Sequence, residues 1–415
     1  MPGIADNIPT RYTVSVPLIY GSMLTIFATP KAFKGHIGTI QQNAITSWTK
    51  LHPRPEIILF GDEAGTAEIA QAFDLQYIPD VERNDHGTPL VRSMFQIAQE
   101  RGKGSLFCYV NCDIVLMGDF MQTIQMIPFE RFMLSGQRMN LDVTDELTFD
   151  QQWEHRLCNQ VSQSGQLQGP HAMDYFVFPR GVYTEVPAFA VGRACWDNWM
   201  LYHALNLNIP MIDATDAITA VHQNHDYNHH PQGRQGVYEG TEAQRSLELI
   251  GGRSYVFFML DLANWKMNSQ GLQRPTWTRG QLHRLMEMLP LVRPGFQGWA
   301  ALLKHLMDYH FHADLDEGTL AQLYQGLGEA FFSRRDRWFW FSMDLDDAEP
   351  VIYLPPPAER EKMDLLRREL DQTQRQVEHL SQTIQAMESS KFWKLRSAWV
   401  QLKQRLDLKK SAMDG

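Results

Sequence analysis

The sequence predicts an α/β protein, with a mostly parallel sheet flanked by helices, followed by a helical unit and a C-terminal coiled-coil helix. Three observations predict it. Short apolar runs alternate with helically spaced segments across the first half, the spacing turns helical and rich in aromatic residues from about residue 281, and a heptad follows a run of prolines. Strands that are apolar throughout are buried on both faces, the condition of a parallel sheet covered by helices on each side.

In chain order, the runs Met23 to Ala28, Glu56 to Phe60, Leu75 to Ile78, Ser105 to Val110, Phe132 to Ser135 and Tyr175 to Phe178 read as strands. One intervening helix is legible residue by residue. Thr88 suits its N-cap and Pro89 its first position, Val91, Met94 and Ala98 share one face, and Gly102 suits the stop. From about Gln281 to Phe341 the helical spacing carries Trp299, Tyr309, Phe331, Phe332, Trp338 and Trp340, the composition of an appended helical unit. Pro355, Pro356 and Pro357 form a stiff linker.

Beyond the linker, Met363, Leu366, Leu370, Thr373, Val377, Leu380, Ile384 and Met387 alternate three and four residues apart, the a/d seam of a coiled coil. A helix folded back on its own domain is the alternative, but the seam at 363–387 favours a homo-oligomer. Next, Phe392, Leu395, Trp399 and Leu402 share a helical face bordered by Lys394, Arg396, Lys403 and Arg405. Residues 391–410 therefore suit either an anionic membrane surface or a continued coil with a solvated basic face. The expected units are 1–250, a sheet-based domain, 251–354, a helical unit, 355–390, linker and coiled coil, and 391–415, a basic amphipathic tail.

With 415 residues, 44% of them hydrophobic, the chain can bury a large core. A net charge of −10 argues against a nucleic-acid partner for the whole surface, although residues 391–415 carry +5. Four scattered cysteines with no C-x-x-C pair fit a reducing, cytoplasmic setting. No run reaches the roughly 20 apolar residues of a membrane span. The expectation is a soluble protein, or one peripheral on the inner face of the cell membrane.

In open α/β sheets ligands bind beyond the carboxyl ends of the strands. Asn111-Cys112-Asp113 stands there, directly after an apolar strand. A carboxylate is a hard ligand for Mg²⁺ or Mn²⁺, and such an ion would let it hold a diphosphate. Turns use the same residue types to bond their own backbone, so the triplet alone does not decide. Absence of a G-x-S-x-G elbow, a Walker loop and a G-x-G-x-x-G fingerprint removes the main support for hydrolase and dinucleotide-enzyme readings.

The succession of Leu24 to Ala28 with Thr29-Pro30, Ile57 to Phe60 with Gly61-Asp62-Glu63, the Gly87-Thr88-Pro89 helix and Tyr109-Val-Asn-Cys-Asp-Ile-Val115 resembles the nucleotide-sugar-binding half of a GT-A fold glycosyltransferase, in the manner of family-two-like transferases, over roughly residues 20–250. In that family the triplet is usually Asp-x-Asp, and Asn111 replaces its first member. The resemblance implies a nucleoside-diphosphate sugar as donor, a divalent cation on Asp113, and a nucleoside near Thr29, Pro30 and Asp62, with Arg92 facing a phosphate. It also implies that a downstream His, His222 or His225 in Val221-His-Gln-Asn-His-Asp-Tyr-Asn-His-His230, completes the ion's coordination. A zinc site is the rival for this cluster, but thiol partners are absent and the spacing is not H-E-x-x-H.

Trp196-Asp197-Asn198-Trp199 resembles the acidic acceptor-side motif of inverting members. Asp197 would take the proton of an acceptor hydroxyl while Trp196 and Trp199 stack on sugar. The bland reading makes Asp197 a helix cap and both indoles core residues. Asp174 is a further candidate for sugar or acceptor hydroxyls, or simply a strand opener. Together these readings describe an enzyme moving a sugar to an unidentified glycan, lipid or protein acceptor, with a single inverting displacement as the expected course. The alternative is a non-catalytic scaffold of the same fold that assembles partners through its coiled coil.

Overall fold

The computed structural model describes residues 23–225 and 238–273, with 275, 284, 287, 288 and 290–292. All belong to the first of two compact units, Met1–Phe339. Most of the expected helical unit, the heptad at 363–387, the basic segment at 391–410, and His229 and His230 lie outside the described residues.

The elements run β1 (Leu24–Ala28), α1 (Gly35–Thr49), β2 (Glu56–Phe60), α2 (Thr66–Phe73), β3 (Gln76–Ile78), α3 (Val91–Arg101), β4 (Leu106–Val110), β5 (Ile114–Val115), α4 (Gly118–Gln125), β6 (Met133–Ser135) and β7 (Met139–Leu141). They continue as α5 (Trp153–Ser164), β8 (Gln166–Leu167), β9 (Tyr175–Pro179), α6 (Trp196–Asn206), β10 (Met211–Asp216), β11 (Val221–Gln223), α7 (Thr241–Ile250), β12 (Trp265–Asn268) and β13 (Gly271–Gln273). Among the described residues no helix is long and apolar enough to cross a membrane.

Nine strands form the main sheet in the order β13-β12-β10-β6-β9-β4-β1-β2-β3. It is α/β and mostly parallel, as the alternation of apolar and helical segments predicts. β9 is the exception in the middle, antiparallel to both β4 and β6. The sheet continues past residue 250, where β12 pairs parallel with β10 and β13 returns antiparallel. A smaller sheet, β5-β11-β7-β8, lies beside it. Its strands of two and three residues are too short to show a periodicity in sequence.

Side-chain alternation splits each central strand between two cores. On β4, Phe107 and Tyr109 join Phe27, Phe95, Phe176 and Phe178 on one face, under α3 and α6. Leu106, Cys108 and Val110 join Ile26, Leu59 and Val177 on the other, under Ala44, Ile45 and Trp48 of α1. Both faces are covered, so β4 and β9 are apolar without interruption.

The helix expected from Thr88 starts instead at Val91. Backbone bridges from Arg83 to Pro89 and from Leu90 to Ala190 hold the segment before it extended. The N–H of Val91 donates to the Phe189 carbonyl at 2.9 Å, and that of Val191 to Pro89 at 3.0 Å, so tertiary pairing overrides the local start signal. The stop at Gly102 stands. A Cβ there would lie 2.6 Å from the Ala98 carbonyl oxygen and 2.9 Å from the Phe107 ring, so only glycine allows α3 to turn tightly into β4.

Phe95 is fully buried, edge-on to Phe27 at 5.0 Å and stacked on Phe178 at 5.4 Å. Phe95→Ala should therefore cost about 3–5 kcal/mol. The neighbouring exposed Gln96→Ala should change stability by no more than about 0.5 kcal/mol. Urea unfolding of both variants checks the assignment, and similar losses for the two would refute it.

Candidate active site

β4 is buried along its whole length, so Asn111, Cys112 and Asp113 come where the chain leaves the core at the sheet's edge. The N–H of Asn111 donates to the Asp174 carbonyl at 2.9 Å, carrying the β4–β9 ladder one step past Val110. The chain then enters β5, which α1 holds from behind. Trp48 Nε1 donates to the Ile114 carbonyl at 2.9 Å, and Ser47 Oγ accepts the Leu116 N–H at 3.1 Å.

β11 pairs antiparallel with β5, placing His222 opposite Ile114. Gln223 closes this pairing. Its backbone N–H and its Nε2 both donate to the Asp113 carbonyl, at 3.1 and 3.2 Å. Gln223 is fully buried, and its Oε1 accepts from Asn43 Nδ2 at 2.9 Å.

Three side chains meet as a result. His225 Nε2 lies 3.0 Å from Asp113 Oδ2, and His222 Nε2 lies 3.8 Å from the same oxygen. One ligand atom from each of the three falls within 4.8 Å of the others. Asp113 Oδ1 and His222 Nδ1 are buried with no protein partner. Leaving a buried carboxylate oxygen unsatisfied is costly, so a ligand is the natural completion. One carboxylate and two imidazoles form a donor set that suits a divalent cation.

Burial opposes charge on Asp113, but His222, the hydrogen bond with His225 and the nearby charge of Lys31 hold its carboxyl below the usual carboxylate range. For His222, burial outweighs the pull of Asp113 and lowers the imidazole's pKa. A neutral imidazole keeps a lone pair for a ligand.

A second group of carboxylates adjoins the first. Asp174 is buried at the entry to β9, where Oδ1 accepts from Asn111 Nδ2 at 2.6 Å and Oδ2 from Arg138 Nη1 at 2.9 Å. Arg138 Nε also donates to Asn140 Oδ1 at 3.0 Å. Asp197 stands in the first turn of α6, two residues after Cys195, which holds a left-handed φ of 83°. Its Oδ1 accepts the Asn198 N–H at 2.9 Å. Burial pushes the Asp197 carboxyl up to about 6; the Asn198 bond opposes the rise and the charge of Asp174 adds to it. Asp174 also acts electrostatically on His222, so it neighbours both groups.

The remaining candidates separate. Thr29, partly exposed at the end of β1, donates from Oγ1 to the Phe60 carbonyl at 3.1 Å, and Pro30 beside it is buried. Asp62 is largely exposed and ion-paired with Arg83. Arg92 does not stand open to a phosphate. Its Nε donates to Glu82 Oε2 at 2.8 Å and its Nη2 pairs with the other oxygen of the same carboxylate.

The indoles do not offer faces for stacking on sugar. Trp196, 7% exposed, packs on Tyr109 and Phe176 at 4.9 and 5.3 Å, and Trp199, 6% exposed, stacks on His203 at 4.5 Å. Both belong to the core, which corrects the stacking role expected of them. Lys31, Arg138 and Gln223 escape a sequence reading. Lys31 had a usable signal, a cation two residues after Thr29 at a strand end. The other two had none.

No protein-family model matches the chain, and no curated protein does. Solved structures similar to it include the mannosyltransferase PcManGT of Pyrobaculum calidifontis in complex with GDP-Man and Mn²⁺, at a TM-score of 0.36 and 11% identity over 80% of this chain and 87% of that one. Glucosyl-3-phosphoglycerate synthase of Mycobacterium tuberculosis, in complex with Mn²⁺, UDP and phosphoglyceric acid, has a TM-score of 0.34 and 14% identity over 56% and 80%. TarS of S. aureus has a TM-score of 0.24 and 11% identity, with 29% of this chain matched to 22% of TarS, so the chain spans about a fifth of that protein. The functional reading rests on the side chains of this chain itself.

Asp197 makes a stability signature testable without substrate. Because its carboxyl is raised to about 6, the folded state keeps a proton that the unfolded chain has already released at lower pH. Stability therefore falls as pH rises from about 4 through 6, and the penalty is complete above that window. Asp197→Asn removes the penalty and should stabilise the protein at pH 7.5 by on the order of 2–3 kcal/mol, with almost no difference at pH 4. Urea unfolding at the two pH values checks this, and an equal effect at both would contradict the assignment.

Proposed function

We propose that the chain is a glycosyltransferase that moves a sugar from a nucleoside-diphosphate sugar to an acceptor hydroxyl, with inversion at the anomeric carbon and with the help of Mn²⁺ or Mg²⁺. The observation that carries this reading is the convergence of Asp113, His222 and His225, with an unsatisfied Asp113 oxygen, beside the carboxylates of Asp174 and Asp197. When bound, the cation would join the Asp113, His222 and His225 set to the diphosphate and offset the charge of the departing group. Lys31, whose charge already reaches Asp113, adds a cation suited to the same diphosphate. Thr29 and Pro30 lie at the end of β1, where the nucleoside is proposed to sit.

Asp197 is the proposed general base. With its carboxyl at about 6 it is mostly ionised at pH 7, yet a stronger base than an ordinary aspartate. It takes the acceptor's hydroxyl proton as that oxygen bonds to the anomeric carbon. The bond from that carbon to the diphosphate breaks, and its electron pair leaves with the diphosphate. A single displacement on these lines inverts the carbon.

Titration of the purified protein with Mn²⁺ and a panel of nucleotide sugars tests the reading. Wild type should bind both, and Asp113→Ala should lose cation-dependent donor binding. Asp197→Asn should keep Mn²⁺ binding and lose transfer by at least a hundredfold, a typical worth of a general base. Wild-type transfer should rise about tenfold per pH unit below 6 and level off above it. Cation-independent binding, a retained anomeric configuration or a flat pH profile would each remove a named part of the proposal.

The proposal keeps 363–387 as a self-association segment and 391–410 as a contact for anionic membrane, on the strength of the heptad and of the basic rim around Phe392, Leu395 and Trp399. Deleting 391–415 should release the protein from phosphatidylserine vesicles, and deleting 359–390 should lower its oligomeric state. Unchanged vesicle binding or unchanged mass in light scattering would count against the respective segment.

A further inference from the structure

The triplet departs from a pair of carboxylates at Asn111, and the structure shows where that amide goes. Its Nδ2 donates to Asp174 Oδ1 at 2.6 Å while its backbone N–H donates to the Asp174 carbonyl at 2.9 Å. Side chain and main chain of Asn111 thus bind one and the same residue. The second oxygen of Asp174 accepts from Arg138 at 2.9 Å. Asp174 is buried, and a buried carboxylate needs donors on its oxygens to remain charged. An amide at position 111 supplies one. A carboxylate there would set two acceptors against each other at hydrogen-bond distance with no proton between them.

The ligand geometry agrees. The side chains of Asp113, His222 and His225 converge on a common point, whereas the Asn111 amide nitrogen is taken up by Asp174. Asp113 Oδ1 is the oxygen without a partner, whereas the Asn111 amide is engaged on the opposite task of holding Asp174.

We propose that Asn111 is a positioning residue outside the cation's coordination sphere: it fixes Asp174 between an amide and the Arg138 guanidinium, and leaves Asp113, His222 and His225 as the ligand set among the described residues. This rests on the cation site proposed above. It assigns the Asn-for-Asp departure a structural purpose, in place of a weakened copy of a two-carboxylate metal site.

Mn²⁺ alone is a sufficient probe, used with the full chain. Three quantities are measured: Mn²⁺ affinity, the number of fast-exchanging waters on the bound ion from water-proton relaxation, and the thermal midpoint of the metal-free protein. Asn111→Asp should lower the midpoint, tighten Mn²⁺ by no more than twofold, and leave the water number unchanged. Combining it with Asp174→Asn exchanges donor and acceptor, and should recover part of the lost midpoint with the same water number. Asn111→Ala, which adds no charge, should keep Mn²⁺ affinity within threefold, and it covers the case in which Asn111→Asp does not fold.

Tenfold tighter Mn²⁺ binding by Asn111→Asp with loss of one bound water, or a tenfold loss with gain of a water in Asn111→Ala, would overturn the inference. If wild type binds Mn²⁺ and Asp113→Ala does not, such a result leaves the proposed cation site standing and removes only the role of Asn111. A wild type that binds no Mn²⁺ removes both.

Discussion

The carbonyl of Asp113 accepts two hydrogen bonds from Gln223, and the candidate centre depends on that grip. β5 and β11 share only two register pairs, a ladder too short to fix itself. Because side chains alternate faces along a strand, a slip of one residue would turn His222 away from Asp113. Gln223 prevents the slip through its backbone and side chain together, and Asn43 of α1 in turn fixes the Gln223 amide. A buried polar network of this kind contributes specificity of register more than net stability. The helix behind the sheet therefore governs the alignment of histidines in front of it.

Three carboxylates share one neighbourhood and meet burial in three ways. Asp113 is compensated by two histidines and Lys31, Asp174 by the Asn111 amide and the Arg138 guanidinium. Asp197 is met by burial first, with the repulsion of Asp174 added and backbone hydrogen bonds, that of Asn198 foremost, opposing, so its carboxyl rises to about 6. Environments that push like groups apart in this way assign different tasks to chemically identical side chains. The best compensated carboxylates are suited to holding, and the least compensated to accepting a proton.

Much of this was legible in the sequence. The six strands read from apolar runs all exist, β2 at the predicted bounds, and the signal is strongest where burial on both faces keeps a strand apolar, as in β4 and β9. Asp113 was legible by the same logic, as the carboxylate after such a run. The misreadings arose where long-range pairing decides. Arg92 turns to Glu82, ten residues away in the segment before its helix, and Trp196 packs against Tyr109 and Phe176, which only the folded sheet brings together. Arg138 and Gln223 act through strands of three residues, or from just before one, where no period can be seen. Pro89 would have opened a helix had its segment not been captured by Arg83.

β9 carries a wider consequence. Since it runs against its neighbours, its beginning and not its end reaches the edge where β4 finishes, and Asp174 arrives beside Asn111 on rigid main chain. Reversed chain direction thus delivers an anionic group to the ligand edge without a longer loop. For Asn111, Asp113 and Asp174 most of the ordering entropy has been lost during folding, so an incoming ligand would find little backbone there left to organise.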